Sequence, residues 1–269
     1  MARQSTTTVD ELTVDIYLPE GDGVRGNLVL CHGAWVGAWI WEEFAVYLAD
    51  RGYRCFAPTW RGHYDSKPVP DLGKVSLLDY VKDLLTVYDQ VGGEVLIGES
   101  AGGLIAQKAA EGHPGVKGMV LMNPAPPFMV PANPRLVMKQ LKYLPDLLLG
   151  RPNLPREKDY KQLILNNVPE PEASEFYRKI CPDSGRALKE MSMGKIRVDP
   201  AKIHCPVHVV VGHLDAVLPA KVHHRTAALY GATVADYPSM SHHTFSEEGW
   251  QQVADELVVW LAEKLEPAA

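Results

Sequence analysis

Five consecutive residues, Gly98-Glu99-Ser100-Ala101-Gly102, limit what this chain can fold into more than any others. They stand between an apolar run, Val95-Leu96-Ile97, and a stretch of helical composition, Leu104 to Ala110. A strand that passes straight into a helix must reverse within one or two residues. Its backbone then runs close against its neighbours, and Gly98, Ala101 and Gly102 carry little or nothing that would obstruct the approach. Ser100 projects at the turn, and the unpaired N–H groups of the helix start face whatever lies beyond it. An accidental Gly-Ser match in a loop is the bland alternative; the strand before and the helix after argue against it.

The rest of the chain repeats that alternation. Residues 6–18 read as two short strands, with Val14, Ile16 and Leu18 alternating with polar neighbours. Strand-like runs follow at Asn27–Cys31, Tyr53–Ala57, Val95–Ile97, Val116–Met122, Val207–Val211 and Thr233–Tyr237. Helical spacing appears over 39–51, over Leu77–Val91, over Ala220–Tyr230 and over Trp250–Leu265. Strands alternating with helices imply a mostly parallel sheet covered on both faces, with the site at the carboxyl ends of the strands. Between Ala125 and Pro200 prolines recur and any helices must be short, so this stretch reads as an inserted, mainly helical segment. The expected division is therefore a core of residues 1–124 and 201–269, with a helical cap over 125–200.

Composition excludes several classes of function. The 269 residues carry a net charge of −6, which argues against nucleic-acid binding as the main task. No apolar run approaches the ~18 residues of a membrane span, and the first eight residues lack the apolar core of a secretory signal. The four cysteines form no C-x-x-C pair, and Cys31 and Cys55 fall in strand-like runs. They read as reduced core filler in a cytoplasmic protein. No glycine-rich phosphate loop is present, so no nucleotide is implied. His204, His208 and His213 are spaced four and five apart, but the intervening run is a strand, which spoils a helical metal site. Neither a metal nor another cofactor is expected.

Serine needs a base to become a nucleophile. Of the ten histidines, the adjacent pair His242 and His243 follows the last strand, at its carboxyl end. Neighbouring residues point in different directions, so one of the two would reach Ser100. Asp215 follows the preceding strand within Gly212-His213-Leu214-Asp215 and is the best-placed acid to orient that base. Asp199, Asp236 and Glu247 compete less well. Negative charge developing on a substrate oxygen needs backbone donors. Ala101 N–H offers one, and Ala34, in His32-Gly33-Ala34-Trp35 at the end of another strand, offers a second.

Together these motifs resemble the α/β-hydrolase superfamily over about residues 10 to 265. The resemblance implies a mostly parallel eight-stranded sheet flanked by helices, with a helical cap inserted after the sixth strand. It implies Ser100 as nucleophile, Asp215 as acid, His242 as base, and Ala34 and Ala101 as oxyanion hole. Arg61-Gly62-His63-Tyr64-Asp65-Ser66 is similar to the family's R-G-x-G-x-S loop, with Tyr64 where glycine is usual. Ser241 replaces the glycine often found before the base. Glu99 replaces the histidine common before the nucleophile in small capped members, and Gly-Glu-Ser-Ala-Gly-Gly is instead similar to larger carboxylesterases.

The expected activity is cleavage of carboxylic esters through an acyl-enzyme, on a small-molecule substrate. The same triad could instead serve acyl transfer, lactone or C–C bond cleavage, or hydroxynitrile lysis, and a receptor with little turnover is a third reading. Trp35, Phe128, Met129, Leu141 and Leu144 are the expected substrate-binding residues. Trp39 and Trp41 read as core packing, and Trp60 and His63 as a surface loop. Pairing as a homodimer is left open.

Overall fold

Val, Leu and Ile crowd the middle strands because both faces of a parallel sheet are covered by helices. The computed structural model describes residues 2–21, 23–128 and 143–265. Its strands are β1 (Arg3–Val9), β2 (Leu12–Leu18), β3 (Gly26–Cys31), β4 (Tyr53–Pro58), β5 (Val95–Glu99), β6 (Gly118–Met122), β7 (Val207–Gly212) and β8 (Thr233–Tyr237). They form one eight-stranded sheet in the order β1-β2-β4-β3-β5-β6-β7-β8. β1 and β2 pair antiparallel, as do β2 and β4; every later pairing is parallel. The fold is thus the α/β hydrolase fold that the motifs implied.

Alternation along the strands sends side chains to two separate cores. Val29, Cys31 and Leu96 face the helices Leu77–Val91, Ser100–Ala110 and Ala220–Tyr230. Leu28, Leu30, Val95 and Ile97 face the helices Glu42–Ala49 and Trp250–Leu265, with Phe44, Leu48, Leu257 and Leu261 among their partners. Trp41 is fully buried in this second core, as the packing reading expected. Ser76 starts the helix Leu77–Val91 through a capping box with Asp79, and Gly92 ends it in a left-handed conformation.

β3 and β5 are neighbours, and the chain leaves them into helices on opposite faces of the sheet, Glu42–Ala49 and Ser100–Ala110. Loops diverging at such a switch point open a crevice at the carboxyl ends of the strands. Two glycines bring the backbones together there. A Cβ on Gly102 would lie 2.5 Å from the His32 carbonyl oxygen and still closer to that of Cys31. One on Gly98 would lie 2.6 Å from the Gly102 oxygen. These obstacles are backbone and have no rotamer through which to yield.

Between β6 and β7 the described residues form four short helices, Leu144–Leu149, Glu157–Leu163, Glu172–Lys179 and Gly185–Ser192. Tyr160, Ile164, Leu165 and Ala173 make a small core of their own, against which Trp35, Phe176 and Val217 pack. This segment lies against the loops that follow β3 and β8: Trp35 meets Tyr160 at 6.2 Å between ring centroids, and Phe176 meets His243 at 5.1 Å.

Gly102→Ala should therefore lower stability by about 2 kcal/mol or more, the usual cost of overpacking a close contact. A melting curve should fall by several degrees; an unchanged Tm would mean that the backbone contact can relax.

Candidate active site

Ser100 is the residue at which β5 becomes a helix, and its φ is +50°. A non-glycine residue in the left-handed region is strained and is held there by its surroundings. Ser100 O accepts a 2.8 Å hydrogen bond from Ala125 N–H, which ties the turn to the strand beside it. Ala101 opens the helix, where the first N–H groups have no partner within the helix.

The loop after β8 carries His242 and His243, both buried. His242 Nδ1 donates to Asp215 Oδ2 at 2.8 Å. Asp215 is itself fixed, since its Oδ1 accepts from Val217 N–H at 2.7 Å and Leu218 N–H at 3.0 Å. Its Oδ2 also lies 3.2 Å from His223 Nε2. Burial acts to raise the Asp215 pKa, but His242 and His223 outweigh it and hold the carboxyl well below its usual range. The acid beside the His243 ring is Glu99, whose Oε1 lies 3.8 Å from its Nε2, beyond hydrogen-bond reach. Burial and the neighbouring His242 push the His243 pKa down to about 3, so it stays neutral. The orienting carboxylate thus falls to His242.

The other nitrogen of His242 faces a second buried acid. Nε2 lies 3.2 Å from Glu99 Oε1, without the alignment of a hydrogen bond. Glu99 is packed against Gly33, whose missing side chain leaves room for the carboxylate. Burial raises the Glu99 pKa, His242 lowers it and Asp215 raises it, with a result of about 7. Burial acts to lower the His242 pKa, but Asp215, Glu99 and Glu247 overcome it and carry the group up to about 9. The imidazole between two carboxylates therefore favours its charged form, and the pair titrates as a unit.

Two residues that the sequence did not single out for this work hold the loop of His242 and His243. Asn123, at φ +41°, donates through Nδ2 to the carbonyls of Ser241 (2.8 Å) and His242 (2.9 Å). Its Oδ1 accepts from Gly212 N–H at 2.8 Å. Glu247, weighed only as a competing acid, instead accepts from Ser241 N–H, Ser241 Oγ and His243 N–H. Ser241 thus uses its hydroxyl to anchor the loop.

Ala34 and Ala101 line one small cavity with Trp60, Leu77, Tyr80, Ile105, Asp183, Leu188 and Met191. Trp35 and Phe128 are not among its lining residues; Trp35 packs on Tyr160, and Arg225 lies 4.1 Å over the Phe128 ring. Met129 and Leu141 lie outside the described residues, as does the side chain of Leu144. The surface reading of Trp60 and His63 is corrected: they are 1% and 0% exposed. His32 Nε2 accepts from Trp60 N–H at 3.2 Å, and Trp60 Nε1 donates back to His32 O. His63 Nε2 lies 3.4 Å from Asp183 in the segment between β6 and β7. Asp183 also accepts from Trp35 N–H at 3.1 Å and from the Tyr80 hydroxyl at 3.0 Å.

A family model described as the alpha/beta hydrolase family matches residues 28–256. The chain belongs to the alpha/beta hydrolase family. A carbendazim-hydrolysing esterase of a Nocardioides species is 29% identical over 92 residues, which is 32% of this chain and 36% of that protein. The match thus spans about a third of the curated relative. Solved hydrolases are similar over nearly their whole length. One from Pseudomonas aeruginosa superposes with a TM-score of 0.75 at 20% identity, over 96% of this chain and 98% of its own. An esterase from Thermogutta terrifontis gives 0.72 at 21% identity, over 98% and 100%. At such identities the likeness is one of fold. Among the described residues of this hydrolase, no helix is long and apolar enough to cross a membrane.

The His63–Asp183 pair should make stability depend on pH. Burial lowers the His63 pKa, but Asp183 overcomes this and the net direction is upward. Burial raises the Asp183 pKa, but His63 and the Trp35 and Ser184 amides bring it down. The acid's contribution is present above its unfolded pKa of about 3.9, and the imidazole's is complete below about 6.5. Asp183→Asn should cost about 3 kcal/mol or more, as breaking buried pairs does. The Tm gap to the parent should be widest at about pH 4–6.5 and narrow as the pH rises through the His63 pKa. A gap constant to pH 9 would deny the pair its charge.

Proposed function

We propose that this chain is a serine hydrolase of small carboxylic esters. The observation that carries the reading is the Asp215-bound imidazole of His242, set against the residue that precedes a strained serine. Ser100 Oγ attacks the acyl carbon, and His242 Nε2 takes its proton. Asp215 keeps the imidazole in the correct tautomer and stabilises its cation. The tetrahedral oxyanion is received by the N–H groups of Ala34 and Ala101, where one lost donor typically costs about 100- to 1000-fold in rate. His242 returns the proton to the leaving alcohol, and the acyl group stays on Ser100. Water then attacks this ester, giving a proton to His242; the tetrahedral intermediate collapses, the bond to Ser100 Oγ breaks, His242 returns its proton to that oxygen, and the carboxylic acid leaves.

The cavity beside Ala34 and Ala101 supports an apolar, short acyl group. Leu77, Ile105, Leu188 and Met191 supply the apolar wall, and the free space is about 10 Å³, close to that of a single water. The described helices between Leu144 and Ser192 serve, in this reading, as a cap beside it. The esterase names of the relatives agree with this substrate class.

A series of chromogenic esters should show acetyl and propionyl substrates turned over faster than octanoyl. Ser100→Ala should lower kcat by at least about 1000-fold, in line with losing a triad nucleophile, and should leave the fold intact by circular dichroism. Ester turnover retained in that variant rejects the assignment.

Glu99 adds a pH signature. With His242 raised to about 9, the free base becomes abundant only in alkaline solution, so kcat/KM should climb through that range. Removing the Glu99 charge removes one cause of the elevation. Glu99→Gln should move the acid limb of the profile to lower pH by about one unit or more, the scale of a nearby buried charge. A limb that stays in place would mean that Glu99 does not act on the base.

A further inference from the structure

Outside the pocket, three residues from three different segments bring their polar atoms together. His213 lies in the turn after β7, Asp236 near the end of β8, and His224 in the helix Ala220–Tyr230. His213 Nε2 is 2.6 Å from Asp236 Oδ1, and His224 Nε2 is 2.9 Å from the same oxygen. The donor atoms of all three lie within 4.8 Å of one another. The two imidazole rings stand at 83° with centroids 6.3 Å apart, so they approach the carboxylate from different sides.

We infer that His213, His224 and Asp236 form a surface site for one divalent transition-metal ion of the zinc class. Two imidazole nitrogens and one carboxylate oxygen suit zinc, cobalt, nickel or copper, and they do not suit the oxygen-only preference of calcium or magnesium. Three protein ligands leave a fourth position of a tetrahedral ion for water. With metal–ligand bonds near 2.0–2.1 Å, tetrahedral ligands stand about 3.3 Å apart. To admit the ion the imidazoles of His213 and His224 need withdraw from the carboxylate by about 0.7 and 0.4 Å, from 2.6 and 2.9 Å. All three side chains are close to 40% exposed, so a hydrated ion reaches them directly. The spacing seen in sequence, His204-His208-His213, gave no hint of this grouping, because two of its members come from later segments.

The ion would clamp the framework behind Asp215. His213 precedes Asp215 by two residues, and His224 follows His223, whose Nε2 lies 3.2 Å from Asp215 Oδ2. The site takes no part in the ester chemistry, and its test does not depend on that chemistry.

The experiment is calorimetric titration of zinc chloride into tag-free, chelator-treated full-length protein, with cobalt(II) absorption as a spectroscopic companion. One ion should bind per chain with a Kd of about 10 μM or tighter, and saturating zinc should raise the Tm by mass action. Cobalt should give the intense visible bands of a tetrahedral ion. His213→Ala, His224→Ala and Asp236→Asn should each weaken zinc binding at least about tenfold, the scale on which even outer partners of a metal matter. The residues are exposed, and the Tm of each variant without metal checks that it folds. Affinity weaker than about 1 mM, or affinity unchanged in all three variants, overturns the site. Retained binding after Asp236→Asn places the ion on other histidines and overturns it equally.

Discussion

Backbone rests on backbone where the helix Ser100–Ala110 begins, and the rest of the site hangs from that contact. Gly102 sits against the carbonyls of Cys31 and His32 with no space for a methyl group. The contact locks the end of β3 to the end of β5. It fixes Ser100 at a φ that it would not choose alone, and it brings Ala34 and Ala101 to the same cavity. Strain at one residue is tolerated because several neighbours determine its position together.

Charge is the second organising element. Burying an acid is expensive unless something offsets it. Asp215 is offset by two imidazoles and two backbone amides, Asp183 by an imidazole, a tyrosine hydroxyl and two backbone amides. Glu247 is offset by the loop that it braces. Glu99 has less: its Oε1 meets no aligned donor and faces His242 and, at 3.8 Å, His243. It is the acid with the fewest aligned donors of the four, and it is the one next to Ser100.

The elbow was legible in the sequence because all its requirements are local: strand, small residues, serine, helix. The sheet was legible for a similar reason, since buried strands announce themselves as apolar runs and their ends place Asp215 and His242 on one edge. Asn123 and Glu247 were not legible in this way. Asn123 reaches a carbonyl 118 residues away, and one asparagine beside a proline carries no periodic signal. Trp60 and His63 sit in a Pro- and Gly-rich stretch that reads as solvent-facing. His63 is covered by Asp183 and Trp60 packs on His32 and Tyr80, partners from distant segments that local composition does not encode. Tyr64, where the family pattern has glycine, follows the same logic: its hydroxyl accepts from Trp39 Nε1 and donates to the Lys179 carbonyl.

Trp35 is held at both its backbone groups by the segment between β6 and β7: its N–H by Asp183, its carbonyl by Cys181 N–H at 2.8 Å. Ala34 is its immediate neighbour in the chain. Two fixed points on one peptide leave it a single orientation, so the N–H of Ala34 inherits its direction from contacts made about 150 residues further along the chain.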